Sequence, residues 1–307
     1  MARLDMKAWL SRVAGSTATV PIPDEESGCT IWVKLEYLLP SGSTKDRVAA
    51  FVLGHAIERG DVTEDTIVVE ASSGSTSIAL AMASALLGVR FVAVMPEGVS
   101  AERVWIIRRY GGEVVLTPKE KGILGAIEKT KAMAAEDPNV FLPRQFENPL
   151  NALAHQRITG PELITQVGRS IHGFVAGVGT GGTLMGVARA LDEMGHRARI
   201  GRVRPTTGVC FQGMPEVCGG IPGVVDGMSA ILDEDRIDRE IEVPDCEAVH
   251  AARELIARGF PVGPSSGLNF AAARRLAAEL GPGHDVATVL CDRMERYFST
   301  DLFQDLK

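Results

Sequence analysis

The sequence lacks a basic excess, which makes nucleic acid an unexpected partner. Its 307 residues include 32 Lys and Arg against 39 Asp and Glu, a formal net charge of −7. Nucleic-acid phosphates and anionic membrane surfaces both attract basic segments, so this charge favours neither partner. A long apolar run is also missing, because the longest stretch, "IALAMASALLGV", has 12 residues. A bilayer span needs about 20, so no membrane helix is expected.

Cysteine and histidine are both scarce, and their spacing argues against a disulfide framework and against a metal site. The cysteines are Cys29, Cys210, Cys218, Cys246 and Cys291. The number is odd and no C-x-x-C pair occurs, which argues against a disulfide framework and favours reduced thiols in the cytoplasm. The six histidines form no H-x-x-x-H pair, so no metal site is predicted. The start, "MARLDMKAWLSRVAG", lacks the apolar core of a signal peptide, so no targeting segment is expected.

Glycine and apolar residues are abundant and alternate in a regular pattern. Predicted strands lie at 66–71, 90–96, 113–118, 173–179, 199–205 and 285–292. Predicted helices lie at 45–60, 75–88, 100–112, 122–135, from about 183, at 246–259 and at 267–280. Strands separated by helices predict an α/β fold, in which twisted and mostly parallel sheets carry helices on both faces. Ligands of such folds bind beyond the carboxyl ends of the strands, so the loops that follow the strands are the candidate sites.

The chain is long enough for two domains of ordinary size. The stretch "PRQFENPLN" (143–151) is rich in turn-forming residues. It is the best candidate for the place where the chain crosses from one domain to the other.

The glycine-rich stretch "GVGTGGT" (177–183) follows a predicted strand and opens a helix. Backbone N–H groups at such a helix start bind phosphate, and glycine allows the ligand to approach closely. The stretch also matches G-x-G-x-x-G, but a dinucleotide site expects an acidic residue at the end of the next strand. That strand ends in Arg204 and Pro205. A phosphate group is therefore favoured, while a dinucleotide site and a turn without a ligand remain alternatives.

Two further loops are rich in hydroxyl groups. The first, "EASSGSTS" (70–77), carries Ser72, Ser73, Ser75, Thr76 and Ser77. A helix cap needs one such residue, so this density favours a loop that binds a carboxylate, with simple capping as the alternative. The second, "GPSSGLN" (263–269), places serines before a predicted helix and taken alone reads as another cap.

A lone lysine, Lys45, follows the small residues of "SGSTKDR" (41–47) and stands at a predicted helix start. A cation is unfavourable at that end of the helix dipole, so the position calls for a function. An ordinary surface lysine is the alternative.

Six stretches, in order along nearly the whole chain, resemble the motifs of one family. They are "SGSTKDR", "SSGSTS", "QFENPLN", "GVGTGGTLMG", "GPSSGLN" and "ERYFST". Together they resemble the fold-type-II enzymes that use pyridoxal 5′-phosphate, in the branch of cysteine synthase (O-acetylserine sulfhydrylase) and cystathionine β-synthase.

The resemblance implies pyridoxal 5′-phosphate as the cofactor and assigns residues to it. Lys45 would form the imine with the cofactor aldehyde, and its freed amine would take the substrate's α-proton. Ser75 stands where the family asparagine contacts the cofactor's 3′-oxygen, and Ser265 would face the ring nitrogen. A neutral hydroxyl there makes the ring a weaker electron sink, which suits β-elimination. The residues implied for the phosphate are Gly179, Thr180, Gly181, Gly182 and Thr183.

The resemblance also implies an amino acid substrate held by its carboxylate. The residues implied for that carboxylate are Ser72, Ser73, Gly74, Thr76 and Gln145. The implied reaction makes cysteine from an activated serine, O-acetylserine or O-phosphoserine, and sulfide by way of an aminoacrylate. The family is mostly homodimeric. A larger cofactor-binding domain (1–36 plus 150–307) and a smaller mobile substrate-binding domain (37–149) are expected, with closure excluding water.

Departures from the family pattern keep other activities open. Ser75 replaces an asparagine, Arg204 stands where glutamate is usual, and Arg293 and Met294 replace Ser-Gly. Arg293 either favours an anionic leaving group or is a surface arginine, and "VDGMSAILD" (225–233) resembles the family's entrance segment only loosely. A cysteine desulfhydrase, a cystathionine β-synthase-type enzyme, a dinucleotide-dependent oxidoreductase and a non-catalytic homologue remain alternatives.

Overall fold

The chain forms two compact units, which we describe from a computed structural model covering residues 15–207, 220–224 and 229–306. Within this range the smaller unit contains Gly15 and Leu39–Leu150, and the larger unit contains Ser16–Leu38 and the residues from Asn151 onward. The chain passes between the units after Leu150, inside the stretch 143–151. The N-terminal segment, Cys210, Cys218 and the first four residues of "VDGMSAILD" lie outside the described residues.

The elements are numbered in chain order. The strands are β1 (Thr19–Asp24), β2 (Cys29–Lys34), β3 (Ile67–Ala71), β4 (Arg90–Pro96), β5 (Glu113–Thr117), β6 (Val140–Phe141), β7 (Gly173–Gly177), β8 (Arg199–Thr206), β9 (Arg239–Pro244) and β10 (Asp285–Val289). The α-helices are α1 (Lys45–Arg59), α2 (Ser75–Leu87), α3 (Ala101–Arg109), α4 (Gly122–Glu136), α5 (Leu150–Ala154), α6 (Gly160–Val167), α7 (Gly182–Glu193), α8 (Asp245–Ala257) and α9 (Pro264–Leu280). A π-helical turn (His155–Thr159) joins α5 to α6. Short 3₁₀ turns lie at Glu36–Leu38, Lys119–Lys121, Glu234–Arg236, Met294–Tyr297 and Asp301–Leu306.

The smaller unit is built on a parallel sheet with the strand order β5-β4-β3-β6. Alternate residues of a strand point to opposite faces. Val69 and Val92 accordingly pack with Ala126 of α4 on one face. Their neighbours Val68 and Phe91 are also buried, and α2 contacts β4. Helices therefore cover the sheet, and its strands are apolar almost throughout, as buried parallel strands are.

The larger unit has the strand order β1-β2-β10-β7-β8-β9, in which only the β1–β2 pair is antiparallel. Val175 of β7 belongs to one apolar cluster with residues of α8 and α9. Its neighbour Phe174 belongs to a second cluster with residues of α6 and α7. The sheet therefore has a core on each face, and the predicted α/β fold with two parallel-sheet units is confirmed.

All six predicted strands are present, with small differences at their ends. The helix predicted at 267–280 begins earlier, at Pro264, because proline is well suited to the first helical turn. Ser265 and Ser266 therefore lie inside that turn rather than before it. Across the part of the chain that the structure describes, no helix has the length and apolarity needed to cross a membrane.

Candidate active site

A glycine-lined cradle follows β7 in the larger unit. A Cβ placed on Gly179 would lie 2.1 Å from the carbonyl oxygen of Gly223, and one placed on Gly182 would lie 2.0 Å from Asn151 Oδ1. Gly181 has a φ of 77°, a left-handed conformation that favours glycine. The loop therefore accepts no side chains at these positions and leads straight into the amino end of α7. Such a backbone cradle fits the phosphate monoester of pyridoxal phosphate.

The threonines of this loop are held by side chains from the segment around the π-helical turn. Thr180 Oγ1 accepts hydrogen bonds from Asn151 Nδ2 (2.9 Å) and from the Gly182 N–H (3.4 Å). Its own proton can then be donated to an acceptor such as a phosphate oxygen. Thr183 Oγ1 lies 3.2 Å from Nε2 of His155, a ring with no solvent exposure. The cradle is thus oriented by side chains as well as by its backbone.

Asn269 ties the start of the glycine loop to the turn that carries Ser265. Its Oδ1 accepts the Gly177 N–H at 2.7 Å, and its Nδ2 donates to the Val289 carbonyl oxygen at 2.9 Å. In the same helical turn Ser266 Oγ accepts the Cys291 N–H at 2.8 Å. Ser265, which is 8% exposed, is therefore held near the carboxyl ends of β7 and β10.

Lys45 is the first residue of α1 in the smaller unit, as predicted, and is half-buried. The next residue, Asp46, is buried and accepts hydrogen bonds from the backbone N–H (2.6 Å) and hydroxyl of Ser41. A carboxylate in the first turn complements the helix dipole, which a lysine does not. Asp46 thus fixes the turn that presents Lys45.

The predicted carboxylate loop and Gln145 come together within the smaller unit. Ser72 Oγ accepts the N–H groups of Gly74 (3.1 Å) and Ser77 (3.4 Å), which leaves its proton for a ligand. Thr76 Oγ1 donates to Gln145 Oε1 at 2.5 Å, and Gln145 Nε2 donates to a backbone carbonyl of the same loop at 2.6 Å. The hydroxyl of Thr76 is therefore directed at Gln145, so its backbone N–H, in the first turn of α2, is the group free to face an anion.

A buried arginine also packs on this loop. A Cβ on Gly74 would lie 2.3 Å from Cδ of Arg103, which extends from α3 and is 5% exposed. A larger residue at position 74 would require the Arg103 side chain to move. The sequence patterns indicated Gly74 but not the arginine above it.

Other contributors were missed in the same way, although two stood inside stretches that had drawn attention. Asn151 ends "QFENPLN" and Asn269 ends "GPSSGLN", so their polar character was the available signal. His155 had no signal, because a π-helical turn is not visible in an apolar-polar pattern.

The departures at Arg204 and Arg293 lie in exposed ion pairs. Arg204 Nε lies 3.1 Å from Glu240 Oε1, and Arg293 lies 2.6 Å from Glu295. The surface interpretation of Arg293 is thus the one that its contacts support.

A family model and curated relatives both match this chain over most of its length. The family model described as "Pyridoxal-phosphate dependent enzyme" matches residues 10–292. Cysteine synthase B of Campylobacter jejuni is 38% identical over 295 residues, which cover 96% of this chain and 98% of that protein.

Solved structures agree in fold but carry different activities in their names. A hydrogen sulfide-producing enzyme from Fusobacterium nucleatum is 35% identical with a TM-score of 0.90, covering 98% of this chain and 92% of that one. An O-acetylserine dependent cystathionine β-synthase from Helicobacter pylori is 33% identical with a TM-score of 0.87, covering 99% and 100%. With the family model spanning most of the chain, this protein belongs to the pyridoxal-phosphate dependent enzyme family.

Proposed function

We propose that this protein makes cysteine by β-replacement, exchanging the leaving group of O-acetylserine or O-phosphoserine for sulfide. The observation that carries the proposal is the glycine cradle at the start of α7, which fits a phosphate monoester. The chain that carries this cradle belongs to the pyridoxal-phosphate dependent enzyme family. Relatives named cysteine synthase, 38% identical over nearly the full chain, support the reaction.

Bound pyridoxal phosphate would supply an electron sink for the reaction at the substrate's α-carbon. Lys45 Nζ would hold the cofactor through its aldehyde carbon until the substrate amine takes its place, and the freed Lys45 amine would then remove the α-proton. The phosphate would rest on the N–H groups of Gly179 to Thr183, Gly181 and Gly182 included, with a hydroxyl proton from Thr180. Ser265 would face the ring nitrogen and Ser75 the 3′-oxygen.

The substrate carboxylate would be bound at the amino end of α2. The loop offers hydroxyl protons from Ser72 and Ser73 and the backbone N–H of Thr76. Gly74, whose own N–H donates to Ser72 Oγ, would shape the loop. Gln145 would face the carboxylate with its amide, which Thr76 Oγ1 and the Ala71 carbonyl oxygen hold in place. Thr76 would act through its N–H and by holding Gln145.

We further propose that the larger unit is the cofactor-binding domain and the smaller unit a mobile substrate-binding domain. We also propose a cytoplasmic homodimer with a small-molecule substrate, because the resembled family is mostly homodimeric and the cysteine pattern suits reduced thiols. Light scattering on the purified protein should give twice the mass of one chain.

The first experiment tests the lysine. Wild-type protein, Lys45→Ala and the exposed control Lys129→Ala are purified with pyridoxal phosphate. Wild type and control should absorb visible light, and borohydride should leave a pyridoxyl group on Lys45 by mass spectrometry. Lys45→Ala should lose the adduct and fall about a thousandfold in cysteine formation.

The second experiment separates the candidate reactions. Cysteine formed from sulfide and either serine derivative supports the proposal, and no cysteine from either donor refutes it. A hydrogen sulfide-producing neighbour with a TM-score of 0.90 makes cysteine breakdown the second candidate. Steady sulfide release from cysteine alone would establish cysteine breakdown. Cystathionine formed from homocysteine and a serine derivative would establish the third candidate, a cystathionine β-synthase-type activity.

A further inference from the structure

Glu70, the last but one residue of β3, is a buried acid without a basic partner. It is 4% exposed, and among the described residues no lysine or arginine forms an ion pair with it. Burying a carboxyl group is costly unless its oxygens are hydrogen-bonded. The feature therefore needs an explanation other than charge pairing.

Backbone N–H groups take the place of the missing cation. The Ala71 N–H donates to Glu70 Oε1 at 2.9 Å, and the Gln145 N–H donates to Oε2 at 3.1 Å. The N–H of Arg144 also bonds the carboxyl group. Three donors converge on one side chain, and an ionised carboxylate, which only accepts, satisfies them all.

The backbone held in this way is unusual. Arg144 has a φ of 55°, the one positive value among the non-glycine residues that the structure describes. Its carbonyl oxygen then accepts the N–H groups of Glu147 (2.9 Å) and Asn148 (2.8 Å), which closes the turn. Residues in such conformations persist only where their surroundings hold them, and they concentrate at functional sites.

We propose that Glu70 is a positioning residue: its carboxyl group holds the Arg144–Gln145 turn and so aims the Gln145 amide at the carboxylate loop. The side-chain bonds of Gln145 to Thr76 Oγ1 and to the Ala71 carbonyl oxygen complete the link. Glu70 does not touch the substrate and acts through Gln145. This inference rests on the proposed function, because it assumes that the loop binds the substrate's carboxylate.

The surroundings of Glu70 make its protonation state consequential. Lys131, Arg144 and Glu147 line a cavity of about 20 Å³ beside it, room for one water. Burial raises the pKa of the Glu70 carboxyl from 4.5 to about 8, opposed by the backbone N–H bonds and helped by the charge of Glu147. The turn should be held most tightly above that pH, when both oxygens accept.

The test compares two ligands on wild-type protein, Glu70→Gln and the exposed control Glu128→Gln, all loaded with pyridoxal phosphate. L-Alanine carries the carboxylate, and L-alaninol keeps the amine and lacks it. Binding is followed by visible absorbance. Above the Glu70 pKa of about 8, Glu70→Gln replaces one acceptor with a donor. At that pH it should weaken L-alanine about tenfold and leave L-alaninol within about twofold of wild type. The ratio of L-alanine affinity to L-alaninol affinity should also rise with pH near 8 in wild type, and that ratio should not rise in the variant.

Two further measurements keep the inference open to refutation. Hydrogen exchange in the 140–148 peptide should quicken in Glu70→Gln and stay unchanged in the control, whatever the activity. A second change, Arg144→Gly, should restore alanine binding to the Glu70→Gln variant, because glycine adopts a positive φ without strain.

Each failure has its own signature. Equal weakening of both ligands, or unchanged binding in Glu70→Gln, would overturn the positioning role. A wild-type protein that forms no cysteine from sulfide and either serine derivative would instead overturn the proposed function.

Discussion

A pair of glycine-to-alanine substitutions tests whether close packing stabilises α7, the helix whose amino end forms the cradle. Gly186 lies inside α7, where a Cβ would sit 2.3 Å from the Ala152 carbonyl oxygen and 2.8 Å from the Gln156 nitrogen. Gly54 lies inside α1, where a Cβ would meet nothing within 4 Å. Both are helical glycines without a positive φ, so the two changes differ mainly in the space around the new methyl group.

The expected effects have opposite signs. Alanine in place of glycine stabilises a helix interior by about 0.5–1 kcal/mol, so Gly54→Ala should stabilise by that amount. At Gly186 the methyl group meets backbone atoms, which cannot rotate away. Overpacking of this kind costs about 1–3 kcal/mol or more, so the net destabilisation of Gly186→Ala is roughly 1–2 kcal/mol. At about 2–4 °C for each kcal/mol, its apparent melting temperature should fall by roughly 2–8 °C.

Thermal unfolding followed by circular dichroism measures both variants against wild type. Because Gly186 packs on the turn that carries His155, its variant should also retain less pyridoxal phosphate after dialysis. Gly54→Ala should retain as much as wild type. If both variants gain stability equally, helix propensity outweighs the contacts at Gly186 and the packing argument is wrong.

Three other predictions follow from described contacts. Thr180→Val should weaken pyridoxal phosphate binding about tenfold, measured by fluorescence titration, because the cradle loses a hydroxyl donor and Asn151 loses its acceptor. Asn269→Ala should destabilise the protein by about 1–3 kcal/mol in urea denaturation, because the half-buried Gly177 N–H loses its acceptor. Folded Glu70 keeps its proton up to a pKa of about 8, whereas the unfolded chain releases it near 4.5, so the free energy of unfolding should fall as pH rises through that window. Glu70→Gln should show a smaller decline, and a parallel decline would count against a raised pKa.

The strands and loops that could be predicted are those whose signal is local. The apolar runs of β3, β4 and β7, each followed by a glycine or serine turn, predicted the fold and the order of the site loops. The first strand, β1, was missed because Pro21 and Pro23 interrupt its pattern. Proline is tolerated there because β1 lies at the edge of its sheet.

Contacts between distant parts of the chain explain the rest of what was missed. Glu70 reads as an ordinary acid at a strand end, and only the fold brings the Gln145 N–H to its carboxyl group. The bond from Gly177 to Asn269 spans 92 positions in the same way. No apolar periodicity or turn signal carries such information, because it arises when separate elements pack.

The strand order of the larger sheet has a consequence for synthesis on the ribosome. Its second strand, β2, pairs with β1 on one side and with β10 on the other, and about 250 residues separate β2 from β10. At about 5–20 residues per second, a newly made β2 waits roughly 12–50 seconds for that neighbour. The segment 39–150, by contrast, emerges whole and contains every strand of its own sheet. The nascent chain can therefore complete the sheet of the segment 39–150 before β2 gains its partner β10 in the larger sheet.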